Sequence, residues 1–407
     1  MYNFKDHITE QKNTHMTHIE DSVLYGGVKG TREAIMSLIS LRDMLGSKKS
    51  ANISVKWDGA PAIFAGTDPT DGKFFVAKKG IFNKNPKIYK TDADVDADTS
   101  GDLATKLKIA LKNFAGLGIK GVIQGDLLYT KSDLSVDTID GDKYLTFHPN
   151  TIVYAVPHKS TMANEIRKSE IGVVWHTTYT GNSFESMKAS YGVKVSALKK
   201  NVKVWSQDAM LRDLTNATLT KTETETINEY LSSIGQLFQA TASSTLKELE
   251  SNQPLAQHIE QFNNTFVRKG EIIGNSKAHT QKLIRWITTK YQSEANKRKS
   301  ETGKKAQYIK LQGFLDFFSN KNQKGIENVF ELQRLIVLTK LKLLTKLNSL
   351  SSLDTFVKTS KGYKVTGQEG YVAIDKIGKN ALKIVDRLEF SYNNFSPSVL
   401  KGWDKAK

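Results

Sequence analysis

The chain has 407 residues, with 59 lysines and arginines against 42 aspartates and glutamates, a formal net charge of +17 and no cysteine. The missing cysteine excludes a disulfide framework, a thiolate metal site and a cysteine nucleophile. No apolar run approaches the roughly 18 residues of a membrane span, and Met1 to Glu20 is too polar for a signal peptide, so the sequence predicts a soluble cytoplasmic protein with no membrane partner. At about 100–200 residues per domain the length allows two or three domains. The positive surplus favours an anionic partner, nucleic acid first, although many basic proteins bind none.

Up to about Val156 the pattern is mixed. Short β-branched and aromatic runs (Asn52–Val55, Ala62–Ala65, Lys73–Val76, Gly121–Tyr129, Thr151–Val156) read as strands between Gly, Asp and Pro clusters. Two helices interrupt them. The first takes Thr31 as N-cap, turns Ala34, Ile35, Leu38, Ile39, Leu41 and Leu45 inward and stops at Gly46; the second covers about Asp102 to Phe114. Ile171–Tyr179 is a further strand, and Thr215–Thr226 a Thr-rich linker. From about Ser206 to Leu350 the period becomes helical, as in Ile227, Tyr230, Leu231, Ile234, Leu237 and Phe238, which predicts four to six helices. Strands return at Gly362–Val365, Gly370–Ile374 and Ala381–Phe390. The predicted class is α+β: antiparallel sheets interrupted by an all-α insertion, with 1–200 and 356–407 forming the sheet domain and 201–355 the insertion.

The sharpest motif is Lys56-Trp57-Asp58-Gly59, at the end of a β-branched run. A strand-end lysine held by a turn, partly desolvated and set among other cations, has its pKa lowered and becomes a nucleophile. An isolated pattern of this kind also fits a surface lysine at a turn. Further segments follow in order: Ala77-Lys78-Lys79-Gly80, Val122-Ile123-Gln124-Gly125-Asp126, Tyr154 within Ile152–Val156, Glu369-Gly370-Tyr371-Val372, and Ala381–Arg387 with Lys383. In this order they resemble the motifs of the covalent nucleotidyltransferases, the superfamily of ATP-dependent RNA and DNA ligases and mRNA capping enzymes. The resemblance covers 52–157 and 366–391 and is closest to a divergent, RNA-ligase-type or phage branch; localisation is then the host cytoplasm.

The resemblance implies a nucleotidyltransferase (ATP-grasp-like ligase adenylation) domain that uses ATP and Mg²⁺ to form a lysyl-AMP at Lys56 and then acts on RNA or DNA ends. It implies Asp58 among the nucleotide-binding residues, Lys383 and Arg387 on the α-phosphate, and Glu369 holding Mg²⁺ through water. Asp126 and Lys78 would bond the ribose hydroxyls or orient Lys56, and Tyr154 would cover the adenine. Tyr154 equally suits a core aromatic, Glu369 a solvated turn, and Lys78 an ordinary edge strand. The sequence departs from the family pattern in several places. Asp126 is one methylene shorter than the usual Glu, the last motif lacks a second lysine, and only 16 residues follow Ser391, too few for the appended barrel of DNA ligases and capping enzymes. These departures leave open a catalytically degenerate, nucleic-acid-binding or virion-associated relative, and count against a GTP-using capping enzyme.

Other chemistry is excluded by pattern. Asp92, Asp94, Asp96 and Asp98 alternate like a calcium loop but lack its glycine and terminal glutamate, and His148, His158 and His176 have no zinc spacing. The insertion carries a basic run from Lys277 to Lys310 that includes Lys282, Arg285, Lys290, Lys297, Arg298 and Lys299, interleaved with Trp286 and Tyr291. It is the candidate nucleic-acid surface, or else a solvated helix face.

Overall fold

The computed structural model describes residues 17–47, 53–211, 218–350, 353–374 and 381–404. Fourteen strands form three sheets among the described residues. The smallest joins β1 (Ile53–Lys56) to β13 (Gly370–Ile374) and β14 (Ala381–Ile384), all antiparallel. The second runs in the order β10 (Val204–Asp208), β8 (Ile171–Thr180), β4 (Val122–Thr130), β2 (Ala62–Thr67), β3 (Phe74–Ala77), with β9 (Lys188–Tyr191) on the end of β8. The third has β12 (Gly362–Val365), β11 (Asp354–Thr359), β7 (Ile152–Pro157), β6 (Asp142–Phe147) and β5 (Ser135–Ile139). Among the described strand pairs only β8–β10 is parallel. The predicted class holds at this level: mixed α and β, with antiparallel sheets split in sequence by helices.

Each layer has its own apolar core. Helices α1 (Gly27–Ser47), α2 (Asp92–Asp98), α3 (Gly101–Phe114) and α4 (Thr161–Lys168) precede the helical segment. Helix α3 turns Ala104, Leu107, Ala110 and Phe114 onto Ile123, Val173 and Trp175 of the second sheet. Between the second and third sheets lie Tyr129, Phe147, Ile152, Tyr154, Val174 and Trp205. The helical segment contains six helices: α5 (Lys221–Ala240), α6 (Ser243–Ser251), α7 (Gln253–Val267), α8 (Ser276–Asn296), α9 (Glu301–Phe317) and α10 (Asn320–Asn348). Its core also takes in Leu38, Leu41 and Leu45 of α1, Ile53, Tyr371 and Ile384, so the first helix and the smallest sheet pack on the helices.

Several local expectations shift. The first helix opens at Gly27; Thr31 lies inside it, buried, and its hydroxyl donates back to the Gly27 carbonyl at 2.7 Å instead of capping. The insertion is narrower than 201–355, because β10 and the first residues of β11 are sheet strands. Part of the Thr-rich linker lies outside the described residues, and the rest leads through Thr220, the N-cap paired reciprocally with Glu223, into the first turn of α5. The last strand stops at Ile384, since Asp386 caps a helix, α11 (Arg387–Phe395), by accepting from the Leu388 and Glu389 N–H groups. The β5–β6 hairpin, turned at Asp140 (φ 51°) and Gly141 (φ 92°), was not predicted. The described residues contain no helix long and apolar enough to cross a membrane.

Candidate active site

The Lys56-Trp57-Asp58-Gly59 segment touches all three sheets. Lys56 ends β1 opposite Gly370. Asp58, 3% exposed, points into the start of β7: its carboxylate accepts from Asn150 Nδ2 (2.6 Å), the Thr151 N–H (2.6 Å), the Thr151 hydroxyl (2.5 Å) and the Ile152 N–H (2.8 Å). Gly59 rests on β4, where a Cβ would stand 2.6 Å from Asp126 Cβ and 2.8 Å from the Leu127 carbonyl oxygen, so no larger residue fits. Gly370, at φ 151°, is constrained likewise, with Val385 Cγ2 2.5 Å from a Cβ position. These glycines bring Lys56, Glu369 and Asp126 together from distant parts of the chain.

Glu369 forms an ion pair with the Lys56 ammonium, and its side chain is 8% exposed against 27% for Lys56. Burial raises the Glu369 pKa from 4.5 to about 7; Lys56 opposes the shift, and the Asp58 and Asp126 charges add to it. Asp126 is raised too, by burial, against the pull of His176, Lys56 and Lys79. Lys383, opposite Val372 on β14, has its pKa lowered by burial and then by repulsion from Lys56, with Glu369 opposing. His176 Nε2 lies 3.6 Å from Asp126 Oδ2. The site therefore holds two ammonium groups against one nearly enclosed and one half-buried carboxylate, both of which bind protons more readily than usual, an arrangement open to proton transfer and to an added cation.

Other predicted site residues are committed elsewhere. Tyr154 is fully buried, its ring between Trp57 and Phe147 (centroids 5.1 and 5.3 Å) and its hydroxyl accepting the Asp58 N–H at 2.7 Å, so it offers no face to a base. The cause is the tight packing of β7 beneath the motif. Arg387, as the first residue of α11, donates to Asp21 at 2.9 Å and to Asn264 at 2.5 Å. Lys78 pairs with Asp98 at 3.1 Å, at the end of the acidic stretch that had the look of a calcium loop and is in fact helix α2.

The basic run is divided by the α8–α9 hairpin. Lys282 stands over Phe266 (5.5 Å), and Lys290 stands over Trp286 (4.8 Å) while donating to Gln261 (2.7 Å). Lys297 pairs with Glu294 at 2.8 Å; Arg298 and Lys299 follow in the exposed turn, and Arg285 is exposed on α8. Trp286 and Tyr291 face inward, against His258 and Phe262 or Phe314, because they fall on the same helical stripe as Leu283 and Ile287.

Among the described residues no group of three or more His, Asp or Glu side chains is placed to enclose a metal ion. Mg²⁺ does not require such a cage, since it binds through one or two carboxylates with phosphate oxygens and water. Glu369, nearly enclosed beside the Lys56 ammonium, is the carboxylate that suits it. A groove of about 560 Å³ lined by Asn348, Asp354, Thr366, Gln368 and Glu389 opens beside Glu369, but its lining has two carboxylates and no cation, which does not suit a triphosphate. Sequence reading missed His176 as a partner of Asp126, although a lone histidine in the apolar run Ile171–Tyr179 is a signal, and missed Asn150 and Thr151, which carry none. No curated protein and no solved structure matches the chain. A family of unknown function, DUF6267, matches residues 13–399, and the chain belongs to that family.

Proposed function

We propose that the protein is an ATP-dependent polynucleotide ligase-like nucleotidyltransferase that forms a lysyl-AMP on Lys56. The observation that carries this reading is the meeting of the Lys56 strand end with Glu369-Gly370 and Asp126 in one partly open site. In the reaction the Lys56 amine attacks the α-phosphorus of ATP, an N–P bond forms, and the P–O bond to pyrophosphate breaks. Glu369, the ion-pair partner, first takes a proton from the Lys56 ammonium to free the amine, and the second proton, shed by the nitrogen once the N–P bond has formed, goes to solvent. Lys383 lies close enough to Lys56 to offset phosphate charge. Mg²⁺, brought with the nucleotide and held by Glu369 through water, would supply further charge neutralisation. The adenylate would then pass to an RNA or DNA end. The fold that goes with this proposal is that of a nucleotidyltransferase domain.

The test is incubation with α-labelled ATP or GTP and Mg²⁺, looking for label on the chain that is labile to acid and stable to alkali. Lys56→Arg keeps the charge but removes a deprotonatable amine, so its label should vanish. Label that persists in this variant would remove Lys56 from the mechanism. The engagement of Tyr154, Arg387 and Lys78 in structural contacts favours a second reading, a degenerate ligase-like fold that binds nucleic acid without turnover. No label from either nucleotide, together with salt-sensitive nucleic-acid binding, would support that alternative.

A further inference from the structure

Strand β8 has two partners along one edge. β10 pairs with Ile171 to Trp175, β9 pairs with Thr177 to Thr180, and His176 lies between them. On the other edge Gln124 of β4 pairs with Thr177 and Gly125 with Trp175, which makes His176 the extra residue of a β-bulge. Bulges re-aim a side chain, and they are common beside active sites. The backbone here is nonetheless fixed: Gly192 N–H donates to the His176 carbonyl at 2.7 Å, and Ala209 N–H to the Trp175 carbonyl at 3.0 Å.

The imidazole is oriented as well. Its Nδ1 lies 2.8 Å from Thr177 Oγ1. With that hydroxyl donating, the ring proton sits on Nε2, the nitrogen facing Asp126 Oδ2 at 3.6 Å. A gap of 3.6 Å is too long for a direct hydrogen bond, yet both atoms can lie about 2.8 Å from one oxygen set between them. The two side chains are 28% and 24% exposed, so that oxygen can arrive from outside.

We infer that His176 and Asp126 clamp a hydroxyl of the bound nucleotide's sugar, His176 donating through Nε2–H and Asp126 accepting, which makes His176 a specificity-determining residue for ribose. The inference rests on the nucleotide reading above. A donor beside an acceptor suits a neutral hydroxyl, which uses one of each, whereas a phosphate would be repelled by the Asp126 carboxylate.

The experiment compares self-labelling kinetics with ATP, 2′-deoxyATP and 3′-deoxyATP in the wild type, His176→Phe and His176→Gln. The wild type should prefer ATP over one deoxy form by about tenfold in kcat/KM, the equivalent of one net hydrogen bond. In His176→Phe that ratio should fall below about twofold, mainly through a higher KM for ATP. His176→Gln, whose amide N–H can replace Nε2–H, should keep most of the preference; far-UV circular dichroism melts establish that both variants fold. An undiminished ratio in His176→Phe, or equal use of all three nucleotides by the wild type, overturns the clamp while leaving the Lys56 chemistry standing. If the wild type takes no label, the Lys56 reading fails, and calorimetric binding of the same nucleotides decides the clamp: a tenfold ATP preference lost in His176→Phe supports it, and no preference overturns it.

Discussion

Glu369→Gln should stabilise the protein at neutral pH while disabling it. The Glu369 carboxyl is nearly enclosed, and its pKa rises from 4.5 to about 7, chiefly through burial. The folded state therefore holds this proton more tightly than the unfolded chain does. That contribution to stability is complete below about pH 4.5 and is lost as pH rises through about 7. At 1.36 kcal/mol per pKa unit the full swing is about 3 kcal/mol. Glutamine is close in shape to the protonated acid and does not titrate. Urea unfolding of both proteins from pH 4.5 to pH 8 should show the variant's advantage growing from near zero to about 3 kcal/mol, other titrating groups cancelling in the difference. Parallel stability curves across this range would refute the reasoning. If Glu369 takes the Lys56 proton as proposed, adenylylation should fall by about 10²–10³ in the same variant, as for loss of one electrostatic stabiliser.

Asp58→Ala should cost roughly 3 kcal/mol or more in unfolding free energy, since it strands the buried donors of Thr151, Ile152 and Asn150. Asp58→Asn should lose less than half as much in the same denaturant titration; equal losses would show that the charge, not the bonding pattern, matters. Lys340 is 1% exposed and donates to both oxygens of the buried Glu20 at 2.8 Å, so Lys340→Met should destabilise by about 3–5 kcal/mol and be partly rescued by Glu20→Gln, measured as a double-mutant cycle. Replacing Lys297, Arg298 and Lys299 together by glutamine should flatten the log–log salt dependence of nucleic-acid binding by roughly two to three units, at about 0.9 per phosphate on duplex or 0.7 on single strands, and spare self-labelling. An unchanged slope would return these residues to an ordinary solvated turn.

Local pattern carried the long elements well. The 3.6-residue stripe of Ile227, Leu231 and Ile234 and the apolar run of Ile171–Tyr179 are where the structure puts a helix and a strand. The β5–β6 hairpin was legible as Asp140-Gly141 between alternating residues, a two-residue turn with positive φ at both positions. The roles of Tyr154 and Arg387 were not legible, because what engages them lies far off in sequence: the Asp58 N–H for one, Asp21 and Asn264 for the other. An aromatic in an apolar strand reads alike whether it faces a ligand or a neighbouring sheet. The inward turn of Trp286 and Tyr291 was available from their spacing to Leu283 and Ile287, but the charge around them dominated the reading.

Motif and architecture explain each other here. A strand-end lysine is mobile unless the residues after it are anchored, and this segment has three independent anchors. Val55 and Lys56 are laddered to Tyr371 and Gly370, the Asp58 carboxylate is locked to the first residues of β7, and Ala60 N–H donates to the Leu127 carbonyl at 2.9 Å. The anchors belong to three different sheets, so Lys56 is positioned only when all three have assembled. The smallest sheet packs on the helices, and the N-terminal segment ties it down further: Thr17 accepts the Lys383 N–H at 3.0 Å, while Glu20 and Asp21 take Lys340 and Arg387. Displacement of α10 or α11 would therefore be felt first at Lys383 and Glu369. This gives the helical segment a physical route to the Lys56 site.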